Sequence, residues 1–189
     1  MQYLGHKAVN RPDSTFDDGW QKYTCGHCGT MVTGAVYACH SDQKWLACTN
    51  CGKGSFMDEL GNVYPGTPFG PTVEGVPDEV YDAYNEARRN ISINSYHSAE
   101  LICRKILMHI AVEKGADEGK TFAAYLDFLL KEDYITKHMK NWADKIRQIG
   151  NAATHKIEPP DRDRAKSAVL FTAELLRIVY EMNHFANLY

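Results

Sequence analysis

Two cysteine pairs constrain the fold of this chain more than any other feature. Both have the form Cys-x-x-Cys-Gly, with Cys25 and Cys28 in the first pair and Cys48 and Cys51 in the second. Thiolates at this spacing in a tight turn can face one tetrahedral metal ion, and the intervening chain is long enough for a β-hairpin to bring the pairs together. We predict one structural Zn²⁺, with iron as the alternative metal and disulfides or free thiols as the alternative state.

The remaining cysteines, and His40, are less favoured as metal ligands. Cys39 and His40 lie between the pairs, and either could replace a cysteine, although four thiolates already complete the shell. Cys103 lies in the apolar stretch Leu101–Leu107 and is expected to be a small core residue.

Length and charge limit the class of protein. The 189 residues suit one ordinary core plus a small metal module, and the net charge of -3 argues against coating of nucleic acid by bulk charge. The opening residues Met1–Lys7 have no apolar run of the signal-peptide kind, and no later stretch approaches the length of a membrane span. We therefore expect a cytoplasmic protein without a membrane partner.

The chain changes character near residue 65. Residues 23–64 are rich in glycine and contain short β-favouring runs, which is typical of a zinc ribbon. The runs are Met31–Thr33, Ala35–Ala38 and Lys44–Ala47. A proline- and glycine-rich linker follows, and the pattern after Pro77 is helical.

Caps and apolar spacing predict five helices. Four of them span about 77–90, 95–114, 136–155 and 162–185, and the third, short helix opens with Thr121 as its cap and carries Phe122, Tyr125, Leu126 and Leu129. The predicted fold class is thus mostly α. Residues 1–64 form a small-β, four-cysteine zinc ribbon module with an N-terminal extension, residues 65–77 a linker, and residues 78–189 an antiparallel helical bundle.

The fourth predicted helix carries a polar row. Taking its apolar seam as zero, Arg147 falls about 120° from the core, Asn151 about 160° and His155 about 200°. Such a row suits an active site, a partner surface or solvent contact alike. The glycine inside this helix, Gly150, favours a close backbone approach over simple solvent contact.

A local excess of positive charge surrounds this helix. Between Lys137 and Lys166 the chain has eight basic residues and four acidic ones. This excess could attract a nucleic-acid backbone, and a solvated helical face is the alternative. The candidate nucleic-acid-binding residues are Lys140, Lys145, Lys156, Arg162 and Arg164.

Four stretches of the second half resemble one family. They are Val76–Ala87, Gly119–Phe122, Ile146–His155 and Phe171–Tyr180. They look like the domain-of-unknown-function 4145 family, whose Arg-x-x-Gly-Asn-x-x-x-His motif would be residues 147–155 here. That family is similar to the HEPN superfamily of helical bundles, many of them dimeric, metal-independent ribonucleases, and its members often follow a zinc ribbon beside restriction and phage-defence modules.

This resemblance implies an RNA-interacting, HEPN-like homodimer with a protein partner in a defence or restriction system, and endoribonuclease is the candidate activity. In such an enzyme His155 would handle the proton, Arg147 would stabilise phosphorane charge, and Asn151 would orient the phosphate. Seven residues separate Arg147 from His155, however, whereas the nuclease motif has four to six. The alternative is a non-catalytic protein-interaction module that uses ribbon and bundle.

Overall fold

A computed structural model describes residues 19–152 and 161–188, with side chains described except at 148–152. The chain divides into two compact units at the junction between Thr67 and Pro68. The first unit is a β-sheet that carries the cysteine pairs, here called the sheet unit. The second is an assembly of helices, here called the helical unit.

In its described residues, 19–67, the sheet unit contains five strands, each antiparallel to the next and hydrogen-bonded in sequence order. The strands are β1 (Trp20–Thr24), β2 (Met31–His40), β3 (Gln43–Ala47), β4 (Gly54–Met57) and β5 (Val63–Tyr64). The expected fold class, mostly α with a small-β ribbon, is therefore wrong. A full five-stranded antiparallel sheet precedes the helices, and the chain combines both kinds of structure in separate units.

One reason for this error is a glycine inside a strand. The runs Met31–Thr33 and Ala35–Ala38 belong to the single strand β2, and Gly34 between them does not interrupt it. A Cβ at Gly34 would lie 2.5 Å from Cε1 of Tyr23 and 2.6 Å from the carbonyl oxygen of Ala47. The glycine thus provides space for the Tyr23 ring, and such a close approach is a common reason for glycine within a strand.

The sheet is curled. Lys44 on β3 donates to the side-chain oxygen of Gln21 on β1 at 2.7 Å, although β2 lies between the two strands. A shift of register between Val36 and Ala38 lies in β2, where irregular pairing bends a strand. The concave side holds a small core of five buried residues, Tyr23, Cys25, Leu46, Cys48 and Met57.

The described residues of the helical unit, 68–152 and 161–188, form six α-helices. They are α1 (Asp78–Ser92), α2 (Tyr96–Glu113), α3 (Phe122–Lys131), α4 (Lys140–Ala152), α5 (Arg162–Leu176) and α6 (Met182–Leu188). A 3₁₀ turn, Lys137–Met139, precedes α4, and a π-helical turn, Arg177–Glu181, joins α5 to α6. The predicted end of the fourth helix at His155 lies outside the described residues. In the described part of the chain, no helix is both long and apolar enough to cross a membrane.

Side-chain caps and a large apolar core define these helices. The Thr121 hydroxyl accepts from the Ala124 amide at 3.2 Å, and the Asp161 carboxylate accepts from the first amides of α5. The core is continuous and includes fully buried large side chains from α1, α2, α3 and α5. Examples are Tyr84, Leu107, Leu126, Leu129, Phe171 and Leu175.

The segment before α1 packs on this core. Arg88 donates to the carbonyl oxygens of Phe69 and Gly70 at 3.1 and 2.9 Å, and the Tyr84 hydroxyl donates to that of Pro71 at 2.9 Å. Val73 is buried. These bonds satisfy backbone groups that have no strand or helix partner, and they attach the proline-rich segment to α1.

Candidate metal centre and polar sites of the helical unit

The two cysteine pairs form the same turn twice. In the first turn the Gly29 amide donates to the Cys25 carbonyl at 2.8 Å, and in the second the Gly52 amide donates to the Cys48 carbonyl at 2.9 Å. Both glycines have φ of +72°, in the left-handed region that favours glycine. Each Cys-x-x-Cys-Gly sequence therefore folds its backbone back in the same way and presents two sulfurs on one side.

The four sulfurs form one cluster. All four Sγ atoms lie within 4.8 Å of one another, and the distances from Cys25 to Cys51 and from Cys28 to Cys48 are both 3.8 Å. These distances exclude disulfides, in which the sulfurs are about 2.05 Å apart. A tetrahedral Zn²⁺ with bonds of about 2.3 Å separates its sulfur ligands by about 3.8 Å. The predicted cysteines thus lie close enough to bind one metal ion, and their spacing fits zinc.

The thiols differ in their electrostatic surroundings. Burial raises the pKa of Cys25 to about 11. Hydrogen bonds from the backbone amide and hydroxyl of Thr30, and from the side-chain amide of Asn50, lower the pKa of Cys28 to about 6. These opposite shifts make Cys28 the more readily deprotonated of the two thiols. Deprotonation of the remaining thiols accompanies metal binding.

Neighbouring groups hold the first turn in place. The Nε2 atom of His27 lies 2.9 Å from the Gly54 carbonyl oxygen, which links the first turn to the start of β4. A Cβ at Gly26 would lie only 1.6 Å from the carbonyl oxygen of Pro65, so glycine is required where that segment crosses the turn. The alternative ligands Cys39 and His40 pair with residues of β3 at the other end of β2 and are not part of the cluster.

The predicted catalytic row is only partly described. Arg147 on α4 forms an ion pair with Asp127 of α3, and its other terminal nitrogen lies 3.7 Å from Asp144. The side chain of Asn151 and all of His155 lie outside what the structure describes, so their catalytic assignment stays a prediction. The two carboxylates compete with any phosphate for the Arg147 guanidinium.

The predicted basic residues have different surroundings. Lys140, Lys145 and Arg162 are exposed, whereas Lys156 lies outside the described residues. Arg164 on α5 instead makes two hydrogen bonds to Glu100 of α2, with Nε to Oε1 at 2.7 Å and Nη2 to Oε2 at 3.2 Å. The Glu100 side chain is 4% exposed and that of Arg164 is 18% exposed. Arg164 thus compensates a buried carboxylate.

Sequence reasoning missed Glu100, although the pattern contained a signal. Glu100 lies on the same helical face as Cys103 and Leu107, both buried. A carboxylate on an apolar face needs a cationic partner, because an isolated buried charge is expensive. The pattern could therefore have identified a buried acid, but it could not have identified Arg164 as its partner.

A second polar cluster joins α2 to the π-helical turn. The Tyr180 hydroxyl donates to Glu113, and the Lys114 ammonium lies 2.8 Å from the same carboxylate and 5.0 Å from the centre of the Tyr180 ring. Burial and the bond to Glu113 raise the pKa of Tyr180 above its usual value. Burial alone would raise the pKa of Glu113, but hydrogen bonds from Lys114 and Tyr180 lower it. These groups satisfy one another and connect two helices.

Comparisons with known proteins give one match. The family model described as a domain of unknown function (DUF4145) matches residues 85–187, from within α1 to within α6. A search of curated proteins and a search of solved structures each found no significant match. The match covers more than half of the chain and excludes the cysteine cluster.

Proposed function

This chain belongs to the domain-of-unknown-function 4145 family through residues 85–187, and we propose that it is a zinc-stabilised, non-catalytic interaction protein whose partner is another protein. It would act in a reducing compartment such as the cytoplasm, where thiols remain available for metal. The observation that carries the proposal is the ion pairing of Arg147, the predicted catalytic arginine, and of Arg164, a predicted nucleic-acid-binding arginine.

The two ion pairs differ in strength, but each makes its arginine less available to a phosphate. Arg164 holds the buried carboxylate of Glu100, and its removal from that carboxylate would leave an uncompensated charge in the core. Arg147 contacts Asp127 and Asp144, so an incoming phosphate would meet two negative charges beside its intended ligand. Both arrangements support a structural role for these arginines over phosphate binding.

The metal centre also supports a binding role. Cys25, Cys28, Cys48 and Cys51 would hold Zn²⁺ with four thiolates, which leaves no position for water or substrate. Bound zinc would supply folding free energy to the sheet unit. The surface of that unit is then available for a partner.

An RNA assay and a purification test this proposal together. The zinc-loaded chain, incubated with single-stranded and structured RNA, should cleave neither, and Arg147→Ala should behave like the parent protein. A tagged chain purified from its native cells should retain one protein in stoichiometric amount. Cys48→Ser should lose that protein and Cys39→Ser should keep it. RNA cleavage that His155→Ala abolishes would contradict the proposal.

The second candidate is an RNA-interacting protein of nucleic-acid metabolism or phage defence, with metal-independent endoribonuclease activity as a dimer. The exposed side chains of Lys140, Lys145 and Arg162 favour it, as does the family match across the predicted row. If the predicted fourth helix continues to His155, Arg147 and His155 would be about 12 Å apart along its axis, so two chains would have to supply them to one phosphate.

Light scattering and cleavage in chelator distinguish this candidate from the first. A nuclease of this kind should be a dimer at tens of micromolar, and its bundle should keep cleaving RNA in chelator if it folds without the metal. His155→Ala should abolish cleavage without lowering thermal stability, because its role would be proton transfer. A monomer with no cleavage would eliminate this candidate.

A further inference from the structure

Three aromatic rings lie side by side across the sheet unit, here called the aromatic row: Trp45, Phe56 and Tyr64. They occupy directly paired positions on β3, β4 and β5. The ring centres of Trp45 and Phe56 are 5.1 Å apart, and those of Phe56 and Tyr64 are 6.3 Å apart. The rings therefore form one continuous surface that crosses three strands.

The aromatic row lies on the convex side of the sheet. Leu46, Ser55 and Met57, which alternate with the row along β3 and β4, are buried on the opposite side. Trp45 is 44% exposed and Tyr64 is 49% exposed. Cross-strand pairing explains the contacts between neighbouring rings but leaves about half of Trp45 and of Tyr64 exposed, and a contiguous exposed apolar patch is typical of a binding surface.

Negative charge lies along one side of the aromatic row. The Tyr64 hydroxyl donates to Asp58 at 3.2 Å, and Gln43, two residues before Trp45, donates to Glu59 at 3.2 Å. Both acids belong to the turn between β4 and β5. A third acid, Asp42, is exposed in the adjacent turn between β2 and β3. The neighbouring Lys44 directs its ammonium group to Gln21 of β1.

We propose that the aromatic row binds an arginine-bearing segment of the partner protein. A planar guanidinium stacks on aromatic faces, and Asp58 and Glu59 supply the negative charge that complements it. The same carboxylates would repel the phosphates of a nucleic acid, so the charge pattern selects a cationic peptide over single-stranded RNA. This inference rests on the proposed function only in taking the partner to be a protein.

Fluorescence anisotropy of a labelled nona-arginine peptide, titrated with the zinc-loaded full chain at low salt, tests the inference. The peptide should bind, and Trp45→Leu should weaken binding about two- to fivefold, the loss expected for one exposed cation–π contact. Glu59→Gln should weaken it less and mainly at low salt. Trp20→Leu is the matched control, since Trp20 is 61% exposed on β1 outside the aromatic row, and binding should not change.

Fluorine NMR of the unaltered protein labelled with 5-fluorotryptophan covers the case in which Trp45→Leu does not fold. The peptide should shift the Trp45 resonance and leave that of Trp20 in place; Trp20→Leu and Trp142→Phe assign the other two tryptophan signals, which leaves the third for Trp45. No peptide binding, equal shifts at both tryptophans, or tighter binding of a 20-nucleotide oligouridine would each overturn the inference. If the co-purified partner binds Trp45→Leu as it binds the parent protein, the inference fails while the proposed function stands.

Discussion

The two units of this chain obtain their stability in different ways. The sheet unit buries five residues in its core, and Cys25 and Cys48 are two of them. The helical unit buries large side chains from four helices, among them Phe171 and Leu129. A core as small as that of the sheet unit cannot offset the conformational entropy of its chain without a cross-link or metal. The comparison teaches that zinc would replace a hydrophobic core in one unit and have no such role in the other.

Removal of the metal should produce the largest difference in stability between the two units. Structural zinc contributes on the order of 10–16 kcal/mol to small zinc-dependent folds. Cys48→Ser should therefore abolish zinc binding and unfold the sheet unit while α1 to α6 remain helical. Elemental analysis should find about one zinc per parent chain, and amide NMR spectra should lose the dispersed signals of residues 20–64 alone.

Cys39→Ser is the matched control, because Cys39 lies on β2 of the same sheet but outside the cysteine cluster. It should keep the zinc and the sheet signals. Loss of helical signals together with those of the sheet in Cys48→Ser would show that the helical unit also depends on the metal and would contradict this comparison.

The buried ion pair should show the next largest effect. Glu100→Ala leaves Arg164 without its buried partner and should lower the free energy of unfolding of the helical unit by about 3–5 kcal/mol. Urea unfolding of the zinc-loaded chain, followed by circular dichroism at 222 nm, measures this change. Glu174→Ala removes the 42% exposed partner of Arg177 and should cost no more than about 1 kcal/mol. Equal costs for the two variants would contradict the assignment of Glu100 to the core.

Alkaline pH should destabilise the helical unit through Tyr84. Burial raises the pKa of Tyr84 from 10.0 to about 12, so the folded protein keeps a proton that the unfolded chain loses above pH 10. Its contribution is fully present below pH 10 and falls by up to about 3 kcal/mol as the pH rises to 12.

Urea unfolding between pH 9 and 12 measures this contribution. Tyr84→Phe should flatten the decline relative to the parent protein. Tyr81→Phe, on the same helix and 39% exposed, should leave it unchanged. A parent-like slope in Tyr84→Phe would assign the alkaline loss to other groups.

The smallest effect is expected at Arg147. Its side chain is 30% exposed and its Asp127 partner is 62% exposed, so Arg147→Ala should change the free energy of unfolding by no more than about 1 kcal/mol. The same urea titration measures it beside Glu100→Ala. A loss comparable to that of Glu100→Ala would show that α4 depends on this ion pair as much as α2 and α5 depend on theirs.

Some features of this protein follow from the sequence by itself. The Cys-x-x-Cys-Gly repeats determine two identical turns and four sulfur ligands, because glycine conformation and ligand spacing are local properties. The limits of the predicted second helix, 95–114, agree closely with α2 at Tyr96–Glu113. The resemblance to the domain-of-unknown-function 4145 family is confirmed by the match to residues 85–187, while the similarity to HEPN bundles stays a prediction. Caps and helical periodicity act over a few residues and can be read directly.

Tertiary structure decided the rest. The Tyr23 ring occupies the space that a side chain at position 34 would need, so glycine is accommodated inside β2. Glu100 accepts a hydrogen bond from Arg164, sixty-four positions away in the sequence. The aromatic row likewise exists only because three strands pair in one register. A one-residue slip in that pairing would move every side chain to the other face, and no local pattern specifies which charges meet across the fold. The sequence alone determined which four cysteines cluster and where α2 lies, and long-range pairing decided which polar and aromatic groups are buried, neutralised or exposed.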